Sequence, residues 1–333
     1  MPLPSRPPLA DRYGRIARDL RVSVTDRCNL RCTYCMPAEG LNWMPRTDML
    51  TDDELVRVVG VLVGLGITSV RLTGGEPLLR ASLADIVAGI AALSPRPTIA
   101  MTTNGVGLDR LAPRLVEAGL DRVNVSLDTA DPAHFARLTR RDRLDDVVRG
   151  LAAAAAAGLS PVKVNAVAMR GVNEVDAPDL LQWCLERGYE LRFIEQMPLD
   201  AQHAWDRGQM VTQSELLTRL GERFTLTPEP TRGSAPAQRF LVDGGPAVVG
   251  IIASVTAPFC GVCDRVRLTA DGQVRNCLFA RREADLRGPL REGASDDDLA
   301  ALIVAEMAAK SPGHGIDAPG FIQPERPMSA IGG

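Results

Sequence analysis

The feature that most constrains the fold is a repeat of short β-rich runs and amphipathic helical runs between Asp19 and about Pro198. The predicted strands are residues 20–25, 69–73, 98–103, 122–127, 162–168 and 191–196. The predicted helices are residues 52–65, 83–93, 108–118, 144–157 and 177–187. Six βα units without antiparallel hairpins predict an α/β fold with a parallel sheet. Periodicity alone leaves open whether that sheet is doubly wound or a partial barrel.

Capping residues mark the expected helix starts. Thr51, Ser82 and Asp109 stand at the beginning of three predicted helices. Their side chains can accept hydrogen bonds from free amide groups, so all three are predicted N-caps.

The alternation of predicted strands and helices ends after Pro198. A helix is predicted at residues 214–220, a loop at 225–238 and strands at 239–242 and 247–252. A hairpin is predicted from residues 265–268 to 273–276, closed around Asp271 and Gly272, and a last helix at 296–309. These patterns predict two domains, residues 1–198 and a smaller α+β domain at 199–333.

Charge and cysteine content exclude several classes of protein. The 333 residues carry a formal net charge of −3, so no general field attracts nucleic acid or an anionic membrane. We expect no signal peptide in the proline-rich first ten residues, and the longest apolar run, 151–157, is too short to span a bilayer. Six of seven cysteines lie in two clusters, which predicts metal binding in a reducing cytoplasm.

The first cluster, Cys28, Cys32 and Cys35, directly follows the first predicted strand. Three thiolates on one loop can hold three corners of an iron–sulfur cubane and leave the fourth iron open. A zinc site is the alternative, but zinc normally takes four ligands. No fourth cysteine or histidine lies nearby in the sequence.

A glycine turn accompanies this loop. The run Gly74-Gly75-Glu76-Pro77 follows the second predicted strand, where paired glycines let a ligand approach the backbone. The cysteine spacing, with Tyr34 before the third cysteine, resembles the radical SAM superfamily, in which SAM is S-adenosylmethionine. The resemblance implies a partial (βα)6 barrel, a [4Fe-4S] cluster that binds SAM, and contact of the turn with the amino group of SAM.

Candidate ligand residues collect where the predicted strands end, the edge at which βα barrels bind ligands. They are Thr102, Thr103, Asn104, Ser126, Asp128, Asn165, Glu195 and Met197. Taken singly, each is better explained as a cap or turn residue, and only their coincidence at one edge favours a ligand site. Lys163 alternates with apolar neighbours and is expected to point into the barrel, where a buried cation needs an anion. Arg21 and Arg71 have the same placement.

The second cluster is Cys260, Cys263 and Cys277. Zinc is a stronger alternative here, because two cysteines separated by two residues with a later cysteine are a common zinc spacing, and Cys184 could supply a fourth ligand. Arg265 and Arg267 should share one strand face and can fork around phosphate oxygens. The other interpretation of this pair is a solvated strand edge.

Nearly the whole chain resembles a narrower family, the GTP 3′,8-cyclases, also called molybdenum cofactor biosynthesis protein A. The resemblance rests on both cysteine segments, the glycine turn, and the terminal Met328-Ser329-Ala330-Ile331-Gly332-Gly333. It implies cyclisation of GTP to (8S)-3′,8-cyclo-7,8-dihydroguanosine 5′-triphosphate, with hydrogen removed from C3′ by a 5′-deoxyadenosyl radical and ring closure onto C8.

The resemblance also implies residue roles. Cys28, Cys32 and Cys35 would hold one [4Fe-4S] cluster, and Cys260, Cys263 and Cys277 a second. The residues implied for SAM are Tyr34, Gly75, Ser126 and Met197. Those implied for GTP are Arg21, Arg71, Thr102, Lys163, Arg265, Val266 and Arg267. Arg265, Arg267, Gly332 and Gly333 are the implied catalytic residues.

The implied partners are GTP, an external one-electron donor and cyclic pyranopterin monophosphate synthase, which would receive the product. The oligomeric state is left open, with a homodimer among the options. One rival is a radical SAM maturase that modifies a peptide and carries an auxiliary cluster. The other is a zinc protein that binds nucleic acid, which the missing basic stripe disfavours.

Overall fold

The computed structural model describes residues 8–230 and 232–332 of the chain. Six strands form its centre: Asp19–Ser23 (β1), Ser69–Thr73 (β2), Thr98–Thr103 (β3), Arg122–Ser126 (β4), Lys163–Ala168 (β5) and Glu190–Glu195 (β6). Each strand pairs in parallel with the next along the chain. The predicted parallel α/β sheet is therefore confirmed.

The helices of this half pack on the outer face of the sheet. They are Asp52–Gly64 (α1), Leu83–Ala91 (α2), Leu108–Glu117 (α3), Pro132–Thr139 (α4), Leu144–Ala156 (α5) and Ala177–Leu185 (α6). The sequence did not predict α4, whose amide at His134 is capped by the Asp131 carboxylate.

Two of the three predicted N-caps occupy the N-cap position. Thr51 caps α1 in a capping box with Glu54. Ser82 is the N-cap residue of α2, but its side chain makes no capping hydrogen bond. Asp109 is not the N-cap of α3, because it lies inside the first turn of that helix. Its carboxylate there interacts favourably with the helix dipole.

The second half adds short elements. Its helices are Gln213–Gly221 (α7), Arg287–Arg291 (α8), Asp296–Ala308 (α9) and Met328–Ile331 (α10). Its strands are Leu226–Pro228 (β7), Gln238–Val242 (β8), Val248–Ile252 (β9), Arg265–Leu268 (β10), Gln273–Arg275 (β11) and Ala284–Asp285 (β12). The predicted hairpin is confirmed as the antiparallel pair β10–β11.

These late strands extend both edges of the central sheet. β9 pairs in parallel with β6, and β10 pairs in parallel with β1. Within the described residues, one sheet of 12 strands results, in the order β12-β11-β10-β1-β2-β3-β4-β5-β6-β9-β8-β7. Its two edge strands do not meet, so the barrel is partial. The domain boundary at residue 198 stays a prediction.

The outer face of the sheet carries the hydrophobic core. Leu20, Val70, Met101, Val123 and Val164 alternate along the strands and are fully buried beneath the helices. No helix in the described part of the chain is long and apolar enough to cross a membrane.

Candidate active site

The inner face of the sheet is polar and strongly basic. Arg267, Arg21 and Arg71 form one row across β10, β1 and β2. Lys163 lies beside Asn124 in a second row, and Asn165 pairs with Arg192 one step further along the strands. Successive side chains of a strand point to opposite faces of the sheet. The apolar residues between these positions therefore pack against the helices on the outer face, and the charged residues point to the inner face.

Apart from Lys163, which is not among its lining residues, these inward side chains enclose a cavity of about 290 Å³. Its basic lining consists of Arg21, Arg71, Arg192, Arg265 and Arg267. Thr102, Asn124 and Asn165 add neutral hydrogen-bonding groups, whereas the acidic groups are Asp19 and Asp264. The excess of cations fits a polyanionic ligand.

The buried guanidinium groups are incompletely satisfied within the protein. Nε and Nη1 of Arg71 and Nε of Arg265 are buried without a hydrogen-bond partner. Burial raises the pKa of Asp19, but the charges of Arg21, Arg265 and Arg71 outweigh it and lower that pKa to about 2. Because the arginines of the lining outnumber its carboxylates, positive charge is left for a ligand to neutralise.

Lys163 faces inward as predicted, but it already has an anionic partner. Its Nζ lies 3.1 Å from a carboxylate oxygen of Glu190, and Arg192 lies 2.9 Å from the same carboxylate. Burial and the charge of Arg192 lower the pKa of Lys163 to about 8. Val266 points the other way into the core, so only its backbone faces the cavity side.

Arg192 was missed from the sequence, although the signal was present. It alternates with Leu191 and Phe193, both buried in the core, just as Arg21 alternates with Leu20 and Val22. The same argument that selected Arg21 and Arg71 would have found it.

The first cysteine triad lies on the loop that follows β1. The loop is tied to α4 by hydrogen bonds from the amides of Arg31 and Thr33 to the end of that helix. Burial and the neighbouring Cys28 raise the pKa of Cys35 to about 12. These three partly buried thiols need a cationic partner to become thiolates, which an iron cluster would provide.

The glycine turn packs directly against this loop. A Cβ on Gly75 would overlap the carbonyl oxygens of Asp26 and Arg27, so the close approach requires glycine. The buried Glu76 carboxylate accepts hydrogen bonds from Thr103 Oγ1 and the Asn104 amide, both at 2.6 Å. Burial raises the pKa of Glu76 to about 7. Glu76 thereby fixes the turn to the end of β3.

A smaller cavity of about 50 Å³ adjoins the first triad. Tyr34, Cys35 and Met197 line it, whereas Ser126 and Gly75 are not among its lining residues. The Tyr34 hydroxyl donates to Asp128 at 2.9 Å, and burial raises the pKa of Asp128 to about 6. The structure therefore brings together two of the four residues predicted for SAM.

The second triad surrounds a mainly apolar cavity of about 80 Å³. Cys260, Cys263 and Cys277 line it together with Arg265 and Arg267, which also line the basic cavity. Cys184 lies in the core beneath α6 and is not part of this group, as its helical setting suggested.

The geometry bears on the zinc alternative. No group of three or more His, Cys, Asp or Glu side chains in the described ranges is placed to hold a single metal ion. One zinc ion requires its ligands to converge tetrahedrally, whereas the thiolates of a cubane bind separate iron atoms and stand further apart. Among the described residues, neither triad is arranged around a single zinc ion.

The last described residues lie against the wall of the basic cavity. Arg267 donates a hydrogen bond to the carbonyl oxygen of Gly332. Met328, at the start of α10, lines both the basic cavity and the small cavity beside Cys35. Gly333 lies outside the described residues.

Family models divide the chain into two matched regions. Residues 22–184 match the Radical SAM superfamily, and residues 189–316 match Molybdenum Cofactor Synthesis C. A GTP 3′,8-cyclase of Streptomyces coelicolor is 63% identical, over 98% of this chain and 96% of its own length. GTP 3′,8-cyclase 2 of Mycobacterium tuberculosis is 59% identical, over 99% of this chain and 94% of its own length.

Solved structures show the fold. Streptococcus suis SuiB bound to S-adenosylmethionine superposes with a TM-score of 0.59 at 14% identity. The match covers 90% of this chain and 67% of that one. At this identity the likeness concerns the arrangement of strands and helices alone.

Proposed function

The chain belongs to the GTP 3′,8-cyclase family of radical SAM enzymes, and from that premise we propose how its cavities handle substrate and cofactor. The enzyme cyclises GTP in the first step of molybdenum cofactor biosynthesis. The observation that carries the proposal is that three cavities are adjacent and share lining residues. Met197 and Met328 line both the small and the basic cavity, and Arg265 and Arg267 line both the basic cavity and that of the second triad.

The cavities at the two ends of this row, beside the first and the second cysteine triad, suit two clusters. Cys28, Cys32 and Cys35 would hold a [4Fe-4S] cluster whose open iron binds SAM. When bound, this cluster and SAM supply a 5′-deoxyadenosyl radical that takes a hydrogen atom from C3′ of GTP. Cys260, Cys263 and Cys277 would hold a second [4Fe-4S] cluster, with one iron free for the purine edge.

The residues between the clusters bind and orient the substrates. Tyr34 and Met197 would contact SAM beside the first triad, with Gly75 presented after the end of β2 and Ser126 at the end of β4. For GTP, the inward cations supply charge-assisted hydrogen bonds to phosphate oxygens, each worth about 1.5–3 kcal/mol. These cations are Arg21, Arg71, Lys163, Arg192, Arg265 and Arg267. Thr102 would add its hydroxyl and Val266 its backbone.

The tail would contribute to the enclosure of the site. Gly332 meets Arg267 at the cavity wall. Enclosure keeps water away from a radical, which would otherwise react with competing donors.

The wider setting is also part of the proposal. An external one-electron donor reduces the first cluster, and cyclic pyranopterin monophosphate synthase takes up the product. The seven cysteines are unpaired in the described chain, which supports a reducing, cytoplasmic location. A homodimer remains one option for assembly.

Product analysis tests this function. The reconstituted protein is incubated anaerobically with SAM, dithionite and either GTP, ATP or an unrelated peptide. We expect 5′-deoxyadenosine and a cyclised nucleotide with GTP only. Release of 5′-deoxyadenosine that depends on a peptide and not on GTP would instead support the maturase alternative.

A further inference from the structure

Lys310 is a buried cation next to the second cysteine triad. It follows α9 directly and is 2% exposed. Its ammonium donates to the carbonyl oxygen of Arg265 at 2.8 Å and to that of Cys263 at 3.3 Å. It also lies 3.7 Å from the sulfur of Cys263, within hydrogen-bonding range for sulfur.

No carboxylate of the described residues forms an ion pair with Lys310. A buried ammonium that meets only carbonyl oxygens is poorly compensated, because burying a charge without an opposite charge is costly. The negative group that it faces is the thiolate of Cys263, once that cysteine binds iron. Lys310 is therefore placed for the metal-bound state of the triad.

The position of Lys310 is fixed from the opposite end of the chain. Arg15, itself buried against Asp11, donates to the carbonyl oxygens of Ser311 at 2.6 Å and Pro312 at 3.0 Å. The same guanidinium donates to the carbonyl oxygen of Cys260 at 2.7 Å. Arg15 thus anchors both the segment after Lys310 and the first cysteine of the triad.

The two cations differ in what they offer an iron cluster. Asp11 neutralises Arg15, and the contacts of Arg15 near the triad are carbonyl oxygens. Lys310 brings an uncompensated positive charge and an N–H donor to a ligand sulfur. Hydrogen bonds to ligand sulfurs and local positive charge both stabilise the reduced form of an iron–sulfur cluster, which carries one more negative charge.

We propose that Lys310 is a positioning residue that raises the reduction potential of the second cluster through Cys263 and aligns Cys263 with the GTP-binding Arg265. Because Lys310 bridges the two carbonyl oxygens, the cluster ligand and the arginine keep a fixed relation. This inference rests on the proposed second cluster.

The test uses a Cys28→Ala/Cys32→Ala/Cys35→Ala background, in which only the second triad can bind a cluster. Iron and sulfide content of this parent tests the second cluster itself. The midpoint potential is then measured by a redox titration followed by electron paramagnetic resonance. We expect Lys310→Met to lower the midpoint potential by at least 59 mV, which corresponds to a tenfold fall in the equilibrium constant of a one-electron reduction. Lys310→Gln keeps a hydrogen-bond donor without the charge, so its midpoint potential should lie between those of the parent and Lys310→Met.

Arg15→Gln is the matched control, because it removes a buried cation that touches the triad only through a carbonyl oxygen. We expect a smaller shift of the midpoint potential than in Lys310→Met. Equal potentials in the parent and Lys310→Met, or an equal shift in Arg15→Gln, would overturn the proposal.

Loss of the cluster has separate meanings. A parent without iron contradicts the second cluster of the proposed function and, with it, the proposed role of Lys310, whereas a parent that binds iron leaves the role of Lys310 to be decided by the potentials. If Lys310→Met alone fails to bind iron, retention of the cluster in Lys310→Arg supports the need for a cation. Failure of Lys310→Arg as well would show that only the shape of lysine matters, against the proposal.

Discussion

Arg267 holds the carbonyl oxygen of Gly332, so the end of the described chain is bound to the wall of the basic cavity. Gly332 has a φ of 82°, in the left-handed region that favours glycine. A Cβ there would stand 2.5 Å from the Ser23 hydroxyl oxygen and 2.6 Å from Cγ2 of Thr73. The tail therefore fits this position only as glycine.

Gly332→Ala should displace the tail and reduce GTP cyclisation at least tenfold, while iron content stays unchanged. Deleting Gly332 and Gly333 should have the same effect. The measurement is the initial rate of cyclised nucleotide per reconstituted enzyme. Gly313→Ala is the control, because its added Cβ would meet no atom closer than 3.9 Å. Full activity in the Gly332 variant would mean that the tail is not part of the site.

Arg192→Ala should weaken GTP binding by roughly tenfold to a hundredfold, the equivalent of about 1.5–3 kcal/mol. Arg267→Ala should cause a loss of similar size, and Arg192→Lys should recover only part of it, since lysine cannot bind a phosphate with two parallel bonds. Binding can be measured anaerobically by calorimetry with both clusters intact.

Val266→Ala is the control for the arginine variants, because the Val266 side chain lies in the core. It should lower the free energy of unfolding by about 0.5–3 kcal/mol and leave GTP affinity unchanged. Unchanged affinity in an Arg192→Ala/Arg267→Ala double variant would contradict the assignment of the basic cavity to GTP.

The affinity for GTP should fall as the pH rises through about 8. Burial and the charge of Arg192 lower the pKa of Lys163 to about 8, so the free enzyme loses this positive charge above that pH. Only the protonated lysine attracts phosphate, so the affinity for GTP falls as the pH rises. Lys163→Arg should flatten the dependence between pH 7 and 9, because a guanidinium remains charged. An identical fall in both proteins would exclude Lys163 as its cause.

Cys32→Ala should abolish 5′-deoxyadenosine formation from SAM and leave iron at the second triad. The physical reason is that two thiolates cannot hold a cluster that needs three protein ligands. Cys184→Ala is the control, since Cys184 is a core residue, and it should retain SAM cleavage. Continued cleavage in Cys32→Ala would remove the first triad from the radical site.

The sequence predicted the parts of the fold that depend on local periodicity. The central strands, the hairpin at Asp271 and the inward direction of Arg21 and Arg71 all follow from alternation and turn chemistry. Arg192 obeys the same rule and could have been found.

The rest depends on contacts between distant segments. No local pattern indicates that β10 pairs with β1. Nor does one indicate that Glu195 is fully buried. Its carboxylate accepts hydrogen bonds from the amides of Gln213, Val255 and Thr256. These bonds tie the end of β6 to the second half of the chain. The contact of Lys310 with Cys263 is of the same kind.

The central claim is that GTP binds beside the first triad with C3′ next to SAM. The most direct test of it measures the transfer of a hydrogen atom from C3′ of GTP to the 5′-deoxyadenosine formed from SAM. GTP that carries deuterium at C3′ is incubated anaerobically with the reconstituted enzyme, SAM and dithionite, and the 5′-deoxyadenosine is analysed by mass spectrometry. We expect one deuterium atom in the 5′-deoxyadenosine from this substrate and none from GTP labelled at C1′. Unlabelled 5′-deoxyadenosine from the C3′-labelled GTP would contradict the central claim that this cavity presents C3′ of GTP to the radical.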